Sequence, residues 1–533
     1  MRAVLLFSAT FLLVFPLQAN EKLSAVPGEY IVKLRGTVPL GELRQSLSAT
    51  KARFVDGEKI FAVVNSSRSL SALRQTAAAR DSRVEYIEPN FLYYADAVPN
   101  DPQYQLLWGL KNGGQTIKDV KGLDGVDISA EKAWDLTTGS RNVVVAVVDT
   151  GVEHKNADLI ENMWVNAKEA NGKATVDDDG NGYIDDVYGY DFYNNDGDPK
   201  DDNGHGSHVA GTIGAVGDNR AGLTGVSWKV RLMAIKFLGS GGSGSTEDAI
   251  RGIDYAVDNG AKIINASWGG GEFSKALEDT LKKARDKGVL FIASAGNSGR
   301  NTDQNPAYPS CYDLNNIISV AAVSNTGALA YFSNYGKETV DLAAPGFDIY
   351  SFGLGGFEYL SGTSMAAPHV SGVTALLLSR EPNLSVAQIR ERLLSTTKTL
   401  PELRGKTASG GMVNAYNVLT NQFDAEDPSR WPSVKADLKS AHPYAPDANV
   451  SYEIVAPSGT KGFSVHFSKL ETEDRYDVIK IFDASGQLIW KISGQHDDEF
   501  SPMISGAKAT VVLTTDGGNQ KYGFDIDRLA IRP

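Results

Sequence analysis

Three residues far apart in the chain have the side-chain types that acyl transfer requires. Asp149 ends the apolar run VVVAVVDTG, His205 lies between glycines in NGHGSHVAG, and Ser364 precedes a helical stretch in GTSMAAPHVSG. A serine hydroxyl is a poor nucleophile unless a base takes its proton and a third group orients that base. Aspartate, histidine and serine supply these roles together. Asn297, in SAGNSG, adds an amide that can donate to an oxyanion.

Ser364 also has a simpler interpretation as a helix cap. Serine is favoured at helix starts, where its side-chain oxygen accepts from a free backbone N–H. The following APHVSGVTALLL is apolar with a helical period, and the start of such a helix would stabilise negative charge that develops nearby. Ser364 alone is compatible with a nucleophile and with a helix cap. The presence of Asp149 and His205 as an orienting group and a base favours the nucleophile.

The elements that must position these residues are predicted by an alternating pattern. Between about residues 125 and 420, apolar β-branched runs alternate with helical segments. This pattern predicts an α/β fold, a mostly parallel sheet covered by helices on both faces. Sites in such sheets gather at the carboxyl ends of the strands. Asp149, Ser267 and Asn297 each follow an apolar run, so we expect them at that edge.

The sequence blocks around these residues resemble those of the subtilisin-like serine proteases, the subtilases. The blocks that carry the resemblance, in the order of the family, are DTGVEHKNADL, NGHGSHVAG, SWGG, SAGNSG and GTSMAAPHVSG. The resemblance covers about residues 100 to 420. The order Asp149, His205, Ser364 is the order in subtilisin itself, so it rests on the match to the family and does not follow from the spacing of the residues.

The resemblance implies endopeptidase chemistry on protein or peptide substrates. Ser364 would attack the peptide carbonyl, His205 would move the proton and Asp149 would hold the imidazole. Asn297 and the Ser364 N–H would stabilise the tetrahedral intermediate. The implied substrate-binding residues, which pair with extended substrate backbone or wall the first specificity pocket, are Ser267, Trp268, Gly269, Gly270, Ala295 and Gly296. We expect broad cleavage after apolar or aromatic residues.

Three other histidines need an interpretation. His205 and His208 form H-x-x-H, a zinc-like spacing, but no further cluster of histidines or cysteines accompanies them in the sequence. By resemblance, His208 and His369 match structural positions. The family often has HPDL where this chain has NADL, residues 156–159, which leaves the role of His154 open.

An acidic loop has the spacing of a calcium site. DDDGNGYIDD, residues 177–186, resembles most of an EF-hand loop, although Tyr188 stands where an EF-hand has glutamate. The loop also resembles an insertion of many bacterial subtilases. The predicted ligands are Asp177, Asp179, Asn181, the Tyr183 carbonyl, Asp185 and Asp186. Asp158 and Asn219 match a second calcium position of subtilisins. We expect structural calcium; an exposed acidic turn is the alternative.

Length and composition indicate a globular protein with several domains. The 533 residues exceed one ordinary domain, and 22% charged with 42% hydrophobic residues argues against general disorder. The formal net charge of −13 opposes binding to nucleic acid or anionic membranes as a main role and suits cation binding.

The first residues predict export. MRAVLLFSATFLLVFPLQA has an early arginine, an apolar run and a small residue at Ala19, the features of a secretory signal peptide. A membrane anchor is the alternative, but the run is short and contains Pro16, and no later segment could span a bilayer. Cys311 is the only cysteine, so no internal disulfide is expected. It lies near the expected pocket wall and is interpreted as a buried small residue.

Changes of pattern along the chain predict five segments. They are a signal peptide at 1–19, an inhibitor-like propeptide at 20–97, a subtilisin-like peptidase domain at 98–422, a linker at 423–444 and a CUB-like β-sandwich at 445–533. The resemblance implies that the propeptide inhibits its own enzyme; an independent N-terminal domain is the alternative. We expect processing between Leu92 and Val98.

The tail resembles CUB modules in FSKLETEDRYDVIKIFDASG and TTDGGNQKYGF, without their cysteines. Glu471, Asp477 and Asp516 could hold calcium there, and exposed turn acids are the alternative. The leading hypothesis for the whole chain is a secreted, self-processing, monomeric serine endopeptidase, with periplasmic or cell-surface retention also open. The rival is a catalytically silent secreted binding protein on the same scaffold, but all four catalytic positions are filled.

Overall fold

A computed structural model of the protein describes residues 25–91 and 98–532, without the side chains of residues 78–80. The chain divides into two units, Met1–Asp96 and Ala97–Pro533. The predicted signal peptide and residues 92–97 of the predicted processing region lie outside the described residues. In the described ranges, none of the helices combines the length and apolar content that a membrane crossing requires.

The first unit is an antiparallel sheet with two helices packed against it. Its elements are β1 (Ala25–Leu34), α1 (Leu40–Ser46), β2 (Lys51–Phe54), β3 (Phe61–Asn65), α2 (Leu70–Arg80) and β4 (Val84–Phe91). The strand order is β2-β3-β1-β4. Alternate residues of β1, Val32 and Leu34, share a buried core with Leu43 of α1 and Leu73 of α2. The alternation of strands and helices in the sequence therefore folds as an α+β unit.

The second unit begins with the strands of one large and two small two-stranded sheets, together with their helices. They are β5 (Thr116–Ile117), β6 (Val120–Lys121), α3 (Ala130–Trp134), β7 (Gly139–Asp149), α4 (Ala167–Ala170), β8 (Gly189–Asp191), α5 (His205–Gly214), β9 (Lys229–Lys236), α6 (Thr246–Asp258), β10 (Ile263–Ala266), α7 (Lys275–Asp286), β11 (Leu290–Ser294), β12 (Ile317–Val323), β13 (Leu342–Pro345), β14 (Ile349–Gly353), β15 (Gly356–Leu360), α8 (Thr363–Arg380), α9 (Val386–Ser395), β16 (Lys398–Thr399), β17 (Gly411–Met412) and α10 (Ala415–Thr420).

The large sheet has the order β16-β17-β13-β12-β11-β10-β7-β9-β8. β16 pairs antiparallel with β17, and every other neighbouring pair is parallel. Strand β7 shows why its run is apolar throughout. Val145 and Val147 belong to one core with residues of α5 and α8, while Ala146 and Val148 belong to a second core with residues of α6 and α7. Both faces are buried, as the uninterrupted run predicts.

The ends of these elements bring the predicted site together. Asp149 is the last residue of β7, Ser267 follows β10, and Asn297 lies three residues beyond β11. Helix α5 begins at His205, and Ser364 is the second residue of α8. Parallel strands end at the same edge of a sheet, so these residues meet there. The predicted fold class is confirmed.

The last part of the chain is a β-sandwich. Its strands are β18 (Ser433–Lys439), β19 (Asn449–Val455), β20 (Gly462–Glu471), β21 (Val478–Asp483), β22 (Leu488–Ile492), β23 (Glu499–Phe500), β24 (Ile504–Ser505), β25 (Lys508–Thr514) and β26 (Gly523–Ile531). One sheet has the order β18-β26-β20-β23, with β24 also on β20, and the other has the order β19-β25-β21-β22. Apolar residues of both sheets, such as Phe467 and Ile481, share one buried core.

The predicted linker 423–444 needs a correction, because it contains β18. This strand pairs antiparallel with β26 and so belongs to the sandwich. Its residues alternate between exposed and half-buried, and this weak amphipathic pattern explains why the sequence suggested a linker. The sandwich also contacts the peptidase region directly. Lys337 Nζ donates to the Asp497 carbonyl at 3.4 Å, and Arg404 Nη1 donates to the Phe500 carbonyl.

Candidate active site

A short hydrogen bond joins Asp149 and His205. His205 Nδ1 lies 2.7 Å from Asp149 Oδ1, and the Thr150 N–H donates to the same oxygen at 2.7 Å. Asp149 is fully buried, and its Oδ2 has no hydrogen-bond partner within the described residues. A buried carboxylate is costly unless it is paired, so the imidazole is an important partner. With its proton on Nδ1, His205 can accept another on Nε2.

The surroundings of His205 raise the pKa of its imidazole. Burial acts to lower this pKa, but the charge of the Asp149 carboxylate and its hydrogen bond act in the opposite direction, with a further contribution from Asp201. The net change is upward from the ordinary value of 6.5. His205 is therefore a stronger base than a free histidine, as proton acceptance from a hydroxyl requires.

Ser364 is turned toward the end of β10. Its hydroxyl donates to the Ser267 carbonyl at 3.0 Å. The cap of α8 is Gly362, without a side-chain hydrogen bond, so the interpretation of Ser364 as a helix cap is wrong. Ser364 and His205 line the same cavity, which has a volume of about 400 Å³. Transfer of the hydroxyl proton to His205 therefore requires the hydroxyl to give up its hydrogen bond to the Ser267 carbonyl.

Asn297 is held so that its amide nitrogen remains available. Its Oδ1 accepts from both the N–H and the hydroxyl of Thr363, each at 2.8 Å. A Cβ atom built on Gly362 would lie 3.3 Å from Asn297 Nδ2 and 3.6 Å from the Ser364 nitrogen. Two N–H donors thus surround one point beside the nucleophile, and the missing side chain of Gly362 keeps it open. This is the arrangement of an oxyanion hole.

Most predicted substrate-binding residues line the cavity with Ser364. They are Ser267, Trp268, Gly269, Gly270 and Gly296. Ala295 differs, because its side chain is fully buried and its carbonyl accepts from Asn334 Nδ2 at 2.8 Å. The side chain of Ala295 therefore packs in the core beside the cavity. Its backbone carbonyl already accepts a hydrogen bond from Asn334.

The part of the chain that contains this site matches a known protein family. The sequence profile of the subtilase family, Peptidase S8, matches residues 140–421, which include all four predicted catalytic residues. The chain belongs to the subtilase family. Its sequence is 35% identical over 405 residues to the "Thermophilic serine proteinase" of Bacillus sp. strain AK1, an alignment that covers 75% of this chain and 90% of that one.

Further relatives agree with this placement. The subtilase is 35% identical over 418 residues to the "Cell wall-associated protease" of Bacillus subtilis, and the alignment covers 76% of this chain but 42% of that longer protein. A solved structure of a protease from Pseudoalteromonas arctica PAMC 21717 superposes with a TM-score of 0.50 at 30% identity, and covers 61% of this chain and 99% of its own. The subtilase is thus a serine protease with a subtilisin-like fold.

Two residues that the sequence reasoning missed hold the segments around Asp149 and His205. Asp201 accepts from the Thr150 hydroxyl at 2.9 Å and from the Ser207 N–H at 2.8 Å. The buried ammonium of Lys236 donates to the Thr150 carbonyl at 2.8 Å and to the Leu238 carbonyl at 2.9 Å. Asp201 lies four residues before His205 and two before the block NGHGSHVAG, a signal that was available, whereas nothing local marks Lys236.

The acidic loop of the subtilase contains a close group of carboxylates. Oxygen atoms of Glu169, Asp177 and Asp179 all lie within 4.8 Å of one another. Hydrogen bonds from backbone N–H groups, above all that of Gly182, lower the pKa of Asp177. A group of carboxylates that offers only oxygen ligands fits a hard cation such as calcium. Glu169 lies outside the loop motif, and no local pattern of residues marks it.

Three of the other predicted ligands of this loop have protein partners, as Asp177 does: Asp185, Asn181 and Asp186. Asp185 Oδ2 accepts from the Thr175 N–H at 2.8 Å. Asn181 Oδ1 accepts from the Tyr183 N–H at 2.7 Å, and its Nδ2 donates to Asp186 Oδ2 at 2.9 Å. Burial raises the pKa of Asp186. The structure therefore groups Asp177 and Asp179 with Glu169, and Asn181 with Asp186.

The residues of the two other predicted calcium sites differ in their contacts. Asn219 Nδ2 donates to Asp158 Oδ1 at 2.5 Å, and burial raises the pKa of Asp158. In the sandwich, oxygen atoms of Glu473, Asp477 and Asp516 lie within 4.8 Å of one another. The prediction of Glu471 in this second group was wrong, because the structure has Glu473 there; Glu471 pairs with Gly523 between strands.

Three other histidines of the peptidase region, and the cysteine, make contacts apart from the hydrogen bond between His205 and Asp149. His208 Nε2 lies 2.9 Å from the Ile349 carbonyl, and burial lowers its pKa to about 3. His369 Nδ1 lies 2.9 Å from the Met365 carbonyl, and burial lowers its pKa to about 4. His154 stacks on Tyr188, with ring centroids 4.8 Å apart. Cys311 is half-buried and lines a separate cavity with Asp341 and Arg390.

Proposed function

We propose that this subtilase is a secreted serine endopeptidase that removes its own propeptide. The observation that carries the proposal is the 2.7 Å contact between His205 Nδ1 and Asp149 Oδ1, with Ser364 and Asn297 in the same cavity as His205. A base held by a buried carboxylate, a hydroxyl and a pair of N–H donors are the parts that acyl transfer needs.

In the acylation step, Ser364 Oγ leaves the Ser267 carbonyl and gives its proton to His205 Nε2. The oxygen attacks the substrate carbonyl, whose oxygen becomes an anion between Asn297 Nδ2 and the Ser364 N–H. Asp149 stabilises the imidazolium by charge and by its hydrogen bond to Nδ1. Each oxyanion donor contributes about 3 kcal/mol to stabilisation of the transition state.

Collapse of the tetrahedral intermediate breaks the peptide bond. His205 gives its proton to the leaving amine, and the acyl group remains on Ser364 as an ester. A water molecule then loses its proton to His205 and attacks this ester, and a second intermediate uses the same oxyanion donors. Release of the new carboxylate returns the proton to Ser364.

Maturation is part of the proposal. Residues 20–97 would act as a propeptide that inhibits the enzyme and is cut off between Leu92 and Val98, after removal of a signal peptide at 1–19. The separate core of residues 25–91 supports this, because a segment with its own core can leave as a unit. Export is supported by the signal-like start of the sequence, and one relative is named as cell wall-associated.

We also propose that calcium stabilises the folded enzyme. Glu169, Asp177 and Asp179 would hold one ion through carboxylate oxygens, with Asp158 and Asn219 as part of a second site. The ion would supply positive charge that offsets the repulsion between the carboxylates. It takes no part in the bond-breaking steps, for which His205 and Ser364 suffice.

The deciding experiment compares full-length wild type with Ser364→Ala. We expect wild type to lose about its first hundred residues and to digest casein, whereas the variant keeps residues 20–97 and digests nothing. Intact mass and N-terminal sequencing measure processing, and Ser485→Ala in the sandwich is the control. Unchanged casein digestion by Ser364→Ala would refute the assignment. A folded wild type that cleaves neither itself nor casein would support the rival, a silent binding protein.

A further inference from the structure

The cavity that contains Ser364 has one arginine in its wall. Arg300 lines it together with Asn297, Ser298 and Ala307. The other ionisable side chain in this lining is His205, and none of the described residues lining the cavity is a carboxylate. The fixed charge of the cavity is therefore positive, although the chain as a whole has a formal charge of −13.

Two contacts connect Arg300 with the segment that borders Gly270. Its Nη2 donates to the Pro306 carbonyl at 3.4 Å, next to Ala307. The carbonyl two residues further on, that of Tyr308, accepts from the Gly270 N–H at 3.2 Å. The segment 306–308 thus connects the 267–270 segment with Arg300. A substrate side chain that enters this cavity shares it with the side chain of Arg300.

The guanidinium of Arg300 has N–H groups that can donate to a substrate. A guanidinium carries five N–H donors, and the bond to Pro306 is long. None of the ion pairs between described residues includes Arg300. The acidic residue three positions on, Asp303, is occupied by the backbone N–H groups of Lys337 and Thr339. The charge is therefore free to bind a carboxylate, which an arginine can hold through two parallel hydrogen bonds.

We propose that Arg300 makes this protease prefer an acidic side chain, glutamate or aspartate, at the residue that precedes the cleaved bond. The inference rests on the proposed peptidase function and names its substrate class. It departs from the expectation of cleavage after apolar or aromatic residues. That expectation considered the segments 267–270 and 295–296. It took no account of Arg300, whose side chain lines the same cavity.

The test uses peptides that differ only at the residue before the cleaved bond. Glutamate and glutamine have the same shape, so their comparison isolates the charge. We expect kcat/KM of wild type to be about tenfold higher for the glutamate peptide, the effect of one charge-assisted contact. Arg300→Gln should make the two values equal. Arg300→Lys should retain part of the preference, because lysine keeps the positive charge but cannot form two parallel hydrogen bonds to a carboxylate.

A second measurement covers substrates longer than peptides. Cleavage sites in an unfolded protein, mapped by mass spectrometry, should be enriched after glutamate and aspartate for wild type but not for Arg300→Gln. Arg475→Gln, at an exposed arginine of the sandwich, is the control and should leave the enrichment unchanged.

The outcomes separate this inference from the proposed function. Equal rates on the glutamate and glutamine peptides, or a preference that survives in Arg300→Gln, would overturn the role of Arg300 and leave the peptidase intact. Digestion of neither peptides nor unfolded protein by wild type would overturn both. Loss of all activity in Arg300→Gln, together with a lowered unfolding temperature, would show a structural role and also overturn the inference.

Discussion

Ser267 and Ser364 exchange hydrogen bonds across the active-site cavity. The Ser267 hydroxyl donates to the Ser364 carbonyl at 2.7 Å, and the Ser364 hydroxyl donates to the Ser267 carbonyl at 3.0 Å. The exchange ties the end of β10 to the start of α8, and so fixes the backbone of the nucleophile. It also directs the hydroxyl proton of Ser364 to the Ser267 carbonyl until that bond is broken. Extended substrate that pairs with the 267–270 segment would compete for the same carbonyl.

Replacement of Asp149 by asparagine should lower kcat by about 10⁴-fold. The asparagine amide can hold the imidazole with the proton on Nε2, the tautomer that cannot accept from Ser364. Folding should be retained because the side chains have the same shape. Burst kinetics on an ester substrate, with protein matured by an added protease, measure the effect. A loss below tenfold would contradict the role of Asp149.

The pH dependence should follow the raised pKa of His205. The base must be neutral, so kcat/KM should rise with pH as the imidazole loses its proton. The upward shift by Asp149 places the midpoint of this rise above 6.5. A profile on an uncharged peptide measures it. A midpoint below 6.5 would mean that burial of the imidazole outweighs the carboxylate.

Asn297→Ala should lower kcat by 10²- to 10³-fold, roughly the effect of one lost oxyanion donor, with little change in KM. Thr363→Val removes one of the two groups that hold Asn297 Oδ1 and should have a smaller effect in the same direction. Steady-state kinetics on one peptide measure both variants. A change confined to KM would show that Asn297 binds substrate and does not stabilise the oxyanion.

Removal of calcium should lower the unfolding temperature, because a metal bound only by the folded state stabilises it. Glu169→Gln weakens one carboxylate group, so EDTA should shift the unfolding of this variant less than that of wild type. Glu247→Gln, at an exposed residue of α6, is the matched control, and Asp477→Asn separates the group in the sandwich. If EDTA shifts none of these proteins, the structural calcium is absent.

Lys236→Met should destabilise the subtilase by about 2 kcal/mol, because the carbonyls of Thr150 and Leu238 lose a buried donor. Most of the loss comes from these carbonyls, since the ion-pair partner Asp202 is largely exposed. Lys229→Met, at an exposed position of the same strand, is the control. Chemical denaturation of the two variants measures the difference. Equal midpoints would show that methionine repacks without cost.

The candidate catalytic residues could be proposed from the sequence because each lies in a block that also determines its local backbone. Asp149 ends an apolar strand and His205 begins a helix, and both features can be read from neighbouring residues. Once the strands are parallel, their shared edge brings the blocks together. The apolar run of β7 likewise predicts a strand buried on both faces.

Residues whose partners are distant in sequence escaped prediction. Lys236 and Glu169 act through contacts that depend on how loops fold back. Arg300 was missed because nothing in the neighbouring sequence shows that its side chain contacts the Pro306 carbonyl and lines the cavity. Strand β18 was missed for a different reason, since an edge strand with one half-buried face carries little hydrophobic signal.

The contacts of Lys337 and Arg404 with the segment from Asp497 to Phe500 have a consequence for the position of the sandwich. They attach the sandwich at a defined place on the peptidase region, and the strand within the former linker shortens the free connection between them. The sandwich therefore stays at a set distance and in a set direction from Ser364.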